Sequence, residues 1–329
     1  MKRLIVAVVI LVGLFAALRW WPEKKPASSA TPALVKFDPG QANRIEVDQS
    51  GQPAVILDKV KDQWQLAQPY AAAADSGAVT TLLTTASSLA PAEKIGAEKN
   101  LAPFGLDDAA SVAISLANGS KYRFLFGSNT PTGDDLYLKL ADSPDVYTVP
   151  TYVKGDMIKA AFDLRDKSVL HFTSDKVDSV ALRYRGKSLE FKRSNGKWTG
   201  PQADNIQNLT DAIANAQMDA IVDPTGKTAA KYGLAHPATV VSLVWKGGQG
   251  RLEVGNKKGE SEYYARSSES PAVFTINSYL TDDMADLTKP PTPAPTVSAT
   301  TVAGPAQARK KKPKTGKAKA AAKPAKSAS

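Results

Sequence analysis

The chain has no cysteine among its 329 residues and only two histidines. The first absence excludes disulfide frameworks, thiolate zinc sites, haem attachment, cysteine nucleophiles and lipoprotein acylation. The second leaves His171 and His236 as too few imidazoles for most histidine-ligated metal centres. Acidic residues are missing from one long stretch: from Lys289 onward there are ten Lys and Arg and no Asp or Glu. The first 25 residues hold five bases against Glu23, and residues 26–288 hold 27 bases against 31 acids. The net charge of +10 therefore belongs to the two ends, and the body is mildly acidic. A folded basic groove for duplex nucleic acid is not indicated, so nucleic acid is not the expected partner.

What is present first is a run of 15 residues, Leu4 to Leu18, without a polar side chain. Lys2 and Arg3 precede it, and Arg19, Trp20 and Trp21 follow it. As a helix, residues 4–21 would reach about 27 Å, close to a bilayer core of about 30 Å. Arg19 could snorkel to the headgroups while Trp20 and Trp21 sit in the interface. Residues 1–21 thus read as a single membrane anchor, with cleavage as a signal peptide near Ser28-Ser29-Ala30 the competing reading. The expected orientation has the N-terminus inside and the body outside the cytoplasm. Residues 22–32 are rich in Pro, Ser and Ala and read as an extended linker.

The body repeats itself. Phe104-Gly105-Leu106 returns as Tyr232-Gly233-Leu234, Phe126-Gly127 as Val254-Gly255, and Val146-Tyr147-Thr148-Val149 as Val273-Phe274-Thr275-Ile276. Tyr152 and Asp156-Met157 return as Tyr279 and Asp283-Met284, all at offsets of 127 or 128. Trp64 pairs with Trp198 at an offset of 134. The predicted copies are 33–162 and 168–288, joined by a connector at 163–167. Each copy should begin with two short alternating strands and a Trp-bearing strand. A helix should follow, capped by Asp75 in copy one and Asp204 in copy two. Its stripe is Val79, Leu82, Leu83 and Leu89, or Ile206, Leu209, Ile213 and Ala216 in copy two. Four strands, near 112–116, 122–126, 136–140 and 146–149 in copy one, and a short helix should close each copy as an antiparallel meander. The fold class expected is α+β, two tandem copies of an antiparallel-sheet-plus-helix repeat after one N-terminal transmembrane helix.

Several motifs resemble chemistry without supplying it. Gly226-Lys227-Thr228 looks like the end of a phosphate-binding loop, but Ile221 stands where that loop needs a glycine. Gly247-Gly248-Gln249-Gly250 reads as a turn between strands. His236 reads as part of a surface turn, and His171 as lying on a strand that opens copy two. The acidic pairs Asp107-Asp108, Asp134-Asp135 and Asp282-Asp283 lack the alternation and closing Glu of a calcium loop. Trp64 and Trp198, at equivalent sites, read as core residues rather than as stacking platforms. No catalytic, cofactor-binding or metal-binding residue is singled out, and no cofactor is expected.

The stretch 289–329 opens with prolines and ends in Lys, Ala and Pro. It has too few apolar side chains to bury a core and reads as a disordered tail. Arg309, Lys310, Lys311, Lys312, Lys314, Lys317 and Lys319 are its candidate polyanion contacts, acting through counterion release. Outside the cytoplasm the target would be anionic lipid or an anionic envelope polymer, and inside it would be nucleic acid.

Taken together, Trp64, Pro69, Ala74-Asp75, Phe104-Gly105-Leu106, Phe126-Gly127, Tyr137 and the connector Asp163-Leu164-Arg165-Asp166-Lys167 resemble the bacterial domain-of-unknown-function family 4340. The resemblance covers about residues 33–287. It implies a membrane-anchored envelope protein with its repeats outside the cytoplasm, of a kind often encoded beside gliding-motility-type ABC transporter parts. It carries over no catalytic residue. Copy two departs where Asn195-Gly196-Lys197-Trp198-Thr199-Gly200 lacks the apolar residue that Leu66 supplies after Trp64, which argues against a regular third strand there. The function expected is that of a non-enzymatic envelope accessory or scaffold protein, associated with a transporter assembly through a protein partner in the membrane. An envelope glycan- or lipid-binding module is the alternative, and a hydrolase with an unrecognised site is a remote one.

Overall fold

Alternation of apolar and polar residues lays down the first strands. Ile45 and Val47 point into the core, while Arg44 and Glu46 point out. Arg44 reaches across to Asp58 on the next strand at 2.7 Å and along its own strand to Glu46 at 2.8 Å. The computed structural model describes residues 32–289. The predicted membrane segment at 1–21 and the tail beyond Lys289 lie outside these residues. No helix among the described residues is long and apolar enough to cross a membrane.

Sheet one contains β1 (Ala42–Asp48), β2 (Val55–Val60), β3 (Gln63–Gln68), β4 (Ala72–Ala73), β5 (Glu93–Ala97), β6 (Ala110–Leu116), β7 (Lys121–Asn129), β8 (Asp135–Leu140) and β9 (Asp145–Pro150). Its spatial order is β4-β3-β2-β1-β6-β7-β8-β9-β5, with neighbours antiparallel. Sheet two contains β10 (Val177–Tyr184), β11 (Lys187–Ser194), β12 (Lys197–Thr199), β13 (Ala220–Asp223), β14 (Thr239–Trp245), β15 (Gly248–Lys258), β16 (Glu262–Ser267) and β17 (Ser270–Asn277). Its order, β12-β11-β10-β14-β15-β16-β17-β13, repeats that of sheet one without a counterpart of β4. The described chain is thus mostly β, two antiparallel sheets with few helices, rather than an even α+β mixture. The edge strands β5 and β13 are not apparent in the sequence. β5 is largely exposed and shows no alternation, so only its pairing with β9 makes it a strand.

Helix α1 (Ser76–Ser88) starts where predicted. The Asp75 carboxylate accepts the N–H groups of Gly77 and Ala78 at 2.8 and 3.0 Å, satisfying donors that a helix start leaves free. Val79, Leu82, Leu83 and Ala86 are buried against sheet one. Two short helices follow, α2 (Tyr152–Met157) and α3 (Ala161–Leu164). In the second repeat the helix is α4 (Ile206–Ala214), and the closing helix is α5 (Tyr279–Asp286). Asp204 does not cap α4. It lies in a 3-10 turn, Ala203–Asn205, entered through Gln202 at φ +52, and the residue before α4 is Asn205, whose side chain caps nothing. The Trp strand of sheet two is present but only three residues long.

Each sheet has its own core. Phe124, Phe126 and Leu138 centre the first, and Phe191, Phe274 and Leu243 the second. The connector is more than a tether. Leu164 is fully buried in the first core, and the Asp166 N–H bonds to Ala73 on β4 at 2.9 Å. On the other side, the Lys167 carbonyl accepts the Met218 N–H at 2.8 Å, and Ser168 forms a bridge with Gln217.

Candidate functional site at the junction of the two sheets

Just before the connector, Ala160, Ala161 and Phe162 form one wall of an open cleft of about 640 Å³. Val47 and Val55 come from the ends of β1 and β2, Tyr70 from the loop after β3, Phe162 from α3 and Ile221 from β13. Each is brought there by its own local structure: the two valines by strand alternation, Phe162 by the short helix that turns the chain toward sheet two. Connector cations flank both aromatics. The Arg165 guanidinium lies 5.7 Å from the Tyr70 ring and the Lys167 ammonium 5.3 Å from the Phe162 ring. Arg165 is only 4 % exposed, and its Nε–H donates to the Asp166 carbonyl at 3.0 Å. Among the described residues that line the cleft, the Tyr70 hydroxyl is the only group able to transfer a proton. Its size and apolar walls suit binding of an apolar group.

The connector also carries a polar cluster. His171 sits between two carboxylates: Nδ1 lies 2.6 Å from Glu269 Oε2 and Nε2 lies 2.7 Å from Asp166 Oδ2. The backbone N–H of His171 donates to the Glu269 carboxylate as well, at 3.0 and 3.2 Å. The bond to Glu269, helped by Asp166 and opposed by partial burial, holds the imidazole above its usual pKa. Burial pushes Asp166 up, but the Ser168 N–H at 2.8 Å, the Ser168 hydroxyl and the His171 ring outweigh it, leaving this carboxyl below its ordinary value.

The sequence candidates fall elsewhere. His171 is not on a strand; it lies in the extended lead-in before the 3-10 turn Ser174–Lys176, its backbone N–H donating to the Glu269 carboxylate instead of to a neighbouring strand. His236 is exposed in a bend. The Gly226-Lys227-Thr228 segment wraps a carboxylate of its own. Asp223 accepts the N–H groups of Thr225, Gly226 and Thr228 at 2.7 to 3.0 Å and both threonine hydroxyls at 2.8 and 2.6 Å. The Thr228 hydroxyl and N–H lead in holding Asp223 well below the carboxylate range, and the donors a phosphate would need are already used. Lys246 and Gly247, at φ +88, turn β14 into β15, whereas Gly248, Gln249 and Gly250, read as turn from the sequence, are paired with β14 as the start of β15. Asp107 and Asp108 lie in a turn, Asp134 and Asp135 at the start of β8, and Asp282 and Asp283 on α5 rather than on a strand or loop. Trp64 and Trp198 are half-buried and pack against the two cores, and Trp198 also donates to Gln207 at 3.0 Å. Arg19, Trp20 and Trp21, with the tail bases Arg309 to Lys319, lie outside the described residues. Sequence reading missed the His171 cluster, because its members are five and 98 positions apart and share no motif.

These features define a mostly-β protein of two like antiparallel sheets meeting at an apolar cleft. The family model described as a domain of unknown function, DUF4340, matches residues 64–205 and 201–290, and the chain belongs to that family, with two matches consistent with a duplicated domain. The boundary between the matches falls at the start of α4 rather than at the connector. No curated protein and no solved structure matches the chain.

Proposed function

We propose that the protein is a non-enzymatic accessory or scaffold protein of the cell envelope. It would be anchored by residues 4–21, with its two sheet-and-helix repeats on the periplasmic side, where they engage a membrane partner such as an ABC-type transporter assembly. The observation that carries this reading is a pair of tyrosines. Tyr152 and Tyr279 occupy the first positions of α2 and α5 and are 68 % and 76 % exposed. Around them the residues shared by the two repeats serve the cores: Val146 and Val273, Val149 and Ile276, Met157 and Met284 are all buried. The tyrosines serve neither core, and exposed Tyr is the type of residue that anchors interfaces. Affinity purification of the full chain from detergent extracts is expected to recover a membrane partner. Tyr152→Ser with Tyr279→Ser should reduce that recovery while leaving the thermal transition in place. Recovery of the bare monomer from native membranes would count against the proposal. A C-terminal topology reporter with a cytoplasmic signal would overturn the location.

The second reading, an envelope lipid- or glycan-binding module, is favoured in its lipid form by the apolar lining of the cleft. It predicts that the chain copurifies with an extractable lipid, and that Phe162→Asp lowers the amount.

A further inference from the structure

We propose that Asp166, His171 and Glu269 form a proton-dependent clasp that holds the connector against the second sheet. The three residues come from three places. Asp166 belongs to the connector, His171 to the lead-in of sheet two, and Glu269 to the turn between β16 and β17. A ring nitrogen can donate to a carboxylate only if it carries a proton, so a histidine with a carboxylate at 2.6 Å on one side and 2.7 Å on the other is satisfied at both sides only as imidazolium. The other charged groups nearby are engaged elsewhere. Lys167 lies over Phe162 and bonds to the Asp163 carbonyl, while Arg251 and Arg266 both bind Glu253. The charged groups that face the ring within ion-pair distance are Asp166 at 2.7 Å and Glu269 at 2.6 Å.

The arms of the clasp are unequal. Glu269 holds both the ring and the backbone N–H of His171, whereas Asp166 holds the ring alone. When the imidazole loses a proton, the arm toward Glu269 keeps two donors if Nδ1 stays protonated. Nε2 then presents a lone pair to the Asp166 carboxylate. The connector arm is the one that opens. Because the folded state raises the affinity of His171 for its proton, the clasp is complete below the unfolded imidazole value of about 6.5 and loosens as pH rises through the folded value. At the acid end, Asp166 binds its proton less readily when folded, so its arm persists below the unfolded carboxyl value of about 3.9 and fails on further acidification.

The test uses the full chain in detergent micelles with ¹³C-labelled histidine. His236→Gln, at an exposed bend, leaves His171 as the sole imidazole. Its NMR titration midpoint should fall in Asp166→Asn and in Glu269→Gln. Amide hydrogen exchange is the second readout. Relative to amides of β14, protection at Ser168 and Met218 should drop roughly twofold to fivefold as pH passes the His171 midpoint, the range of an exposed ion pair. In His171→Asn that pH-dependent drop should vanish. A midpoint that moves in neither carboxylate variant overturns the clasp, and so does connector protection that follows β14 unchanged through the midpoint.

Discussion

The two repeats follow one strand order yet keep different things. Both place an aromatic-Gly-Leu bend against a second glycine. Gly105 at φ +63 and Gly233 at φ +76 turn the chain in the left-handed region, where glycine is at no disadvantage. The chain then presses the Phe104 and Tyr232 carbonyls onto Gly127 and Gly255, where a β-carbon on either glycine would collide with the carbonyl oxygen. The same bend sets Phe104 edge-to-face with Tyr137, centroids 4.9 Å apart, and Tyr232 tilted against Tyr264 at 4.7 Å. Helix starts and edges have diverged instead. Repeat one has a side-chain cap, a six-residue Trp strand and the extra β4; repeat two has an uncapped helix and a three-residue Trp strand. The difference teaches that backbone-on-backbone contacts leave no alternative residue, while caps and edges can be lost at modest cost.

That comparison can be broken in four ways. The largest effect is expected from Leu82→Ala and Leu209→Ala, which empty equivalent helix positions in separate cores. Each should cost about 2–5 kcal/mol in urea unfolding. If either change leaves the midpoint in place, that helix is not part of its core. Next come Gly127→Ala and Gly255→Ala, each expected to cost about 1–3 kcal/mol through the carbonyl collision. A large loss at one and none at the other would show that the bend is not shared. Third, only repeat two holds the Asp223 carboxylate in a cage of N–H and O–H donors. Its folded proton affinity is depressed, so its stabilisation is present above about pH 4 and lost as pH falls further. The acid unfolding of Asp223→Asn, followed by circular dichroism, should therefore lack part of the stability decline seen in the wild type; an identical pH profile would remove the cage from the account. Smallest is the cap: Asp75→Ala should cost about 1 kcal/mol, and Asn205→Ala less than about 0.5 kcal/mol. Equal losses would mean that the second helix start is capped after all in solution.

Much of this fold is legible locally. Ile45, Val47 and Leu57 announce strands by alternation, and Asp75 with the stripe Val79, Leu82 and Leu83 announces a helix. The repeat itself is visible because the same packing was built twice. Asp204 misled, since an acid before an apolar stripe looks like a cap whether or not a 3-10 turn intervenes. β5 was invisible because an edge strand of exposed residues needs no pattern of its own.

What the sequence by itself determined are the properties set by near neighbours: the charge confined to the ends, the strand and helix periods, the paired glycines, and the duplication that family membership accompanies. The tertiary structure alone decided the junction. Tyr70, Phe162 and Ile221 line one cleft, and His171 meets Glu269 98 residues away, because chain topology places them together. Such contacts have no sequence period, so no local reading can find them.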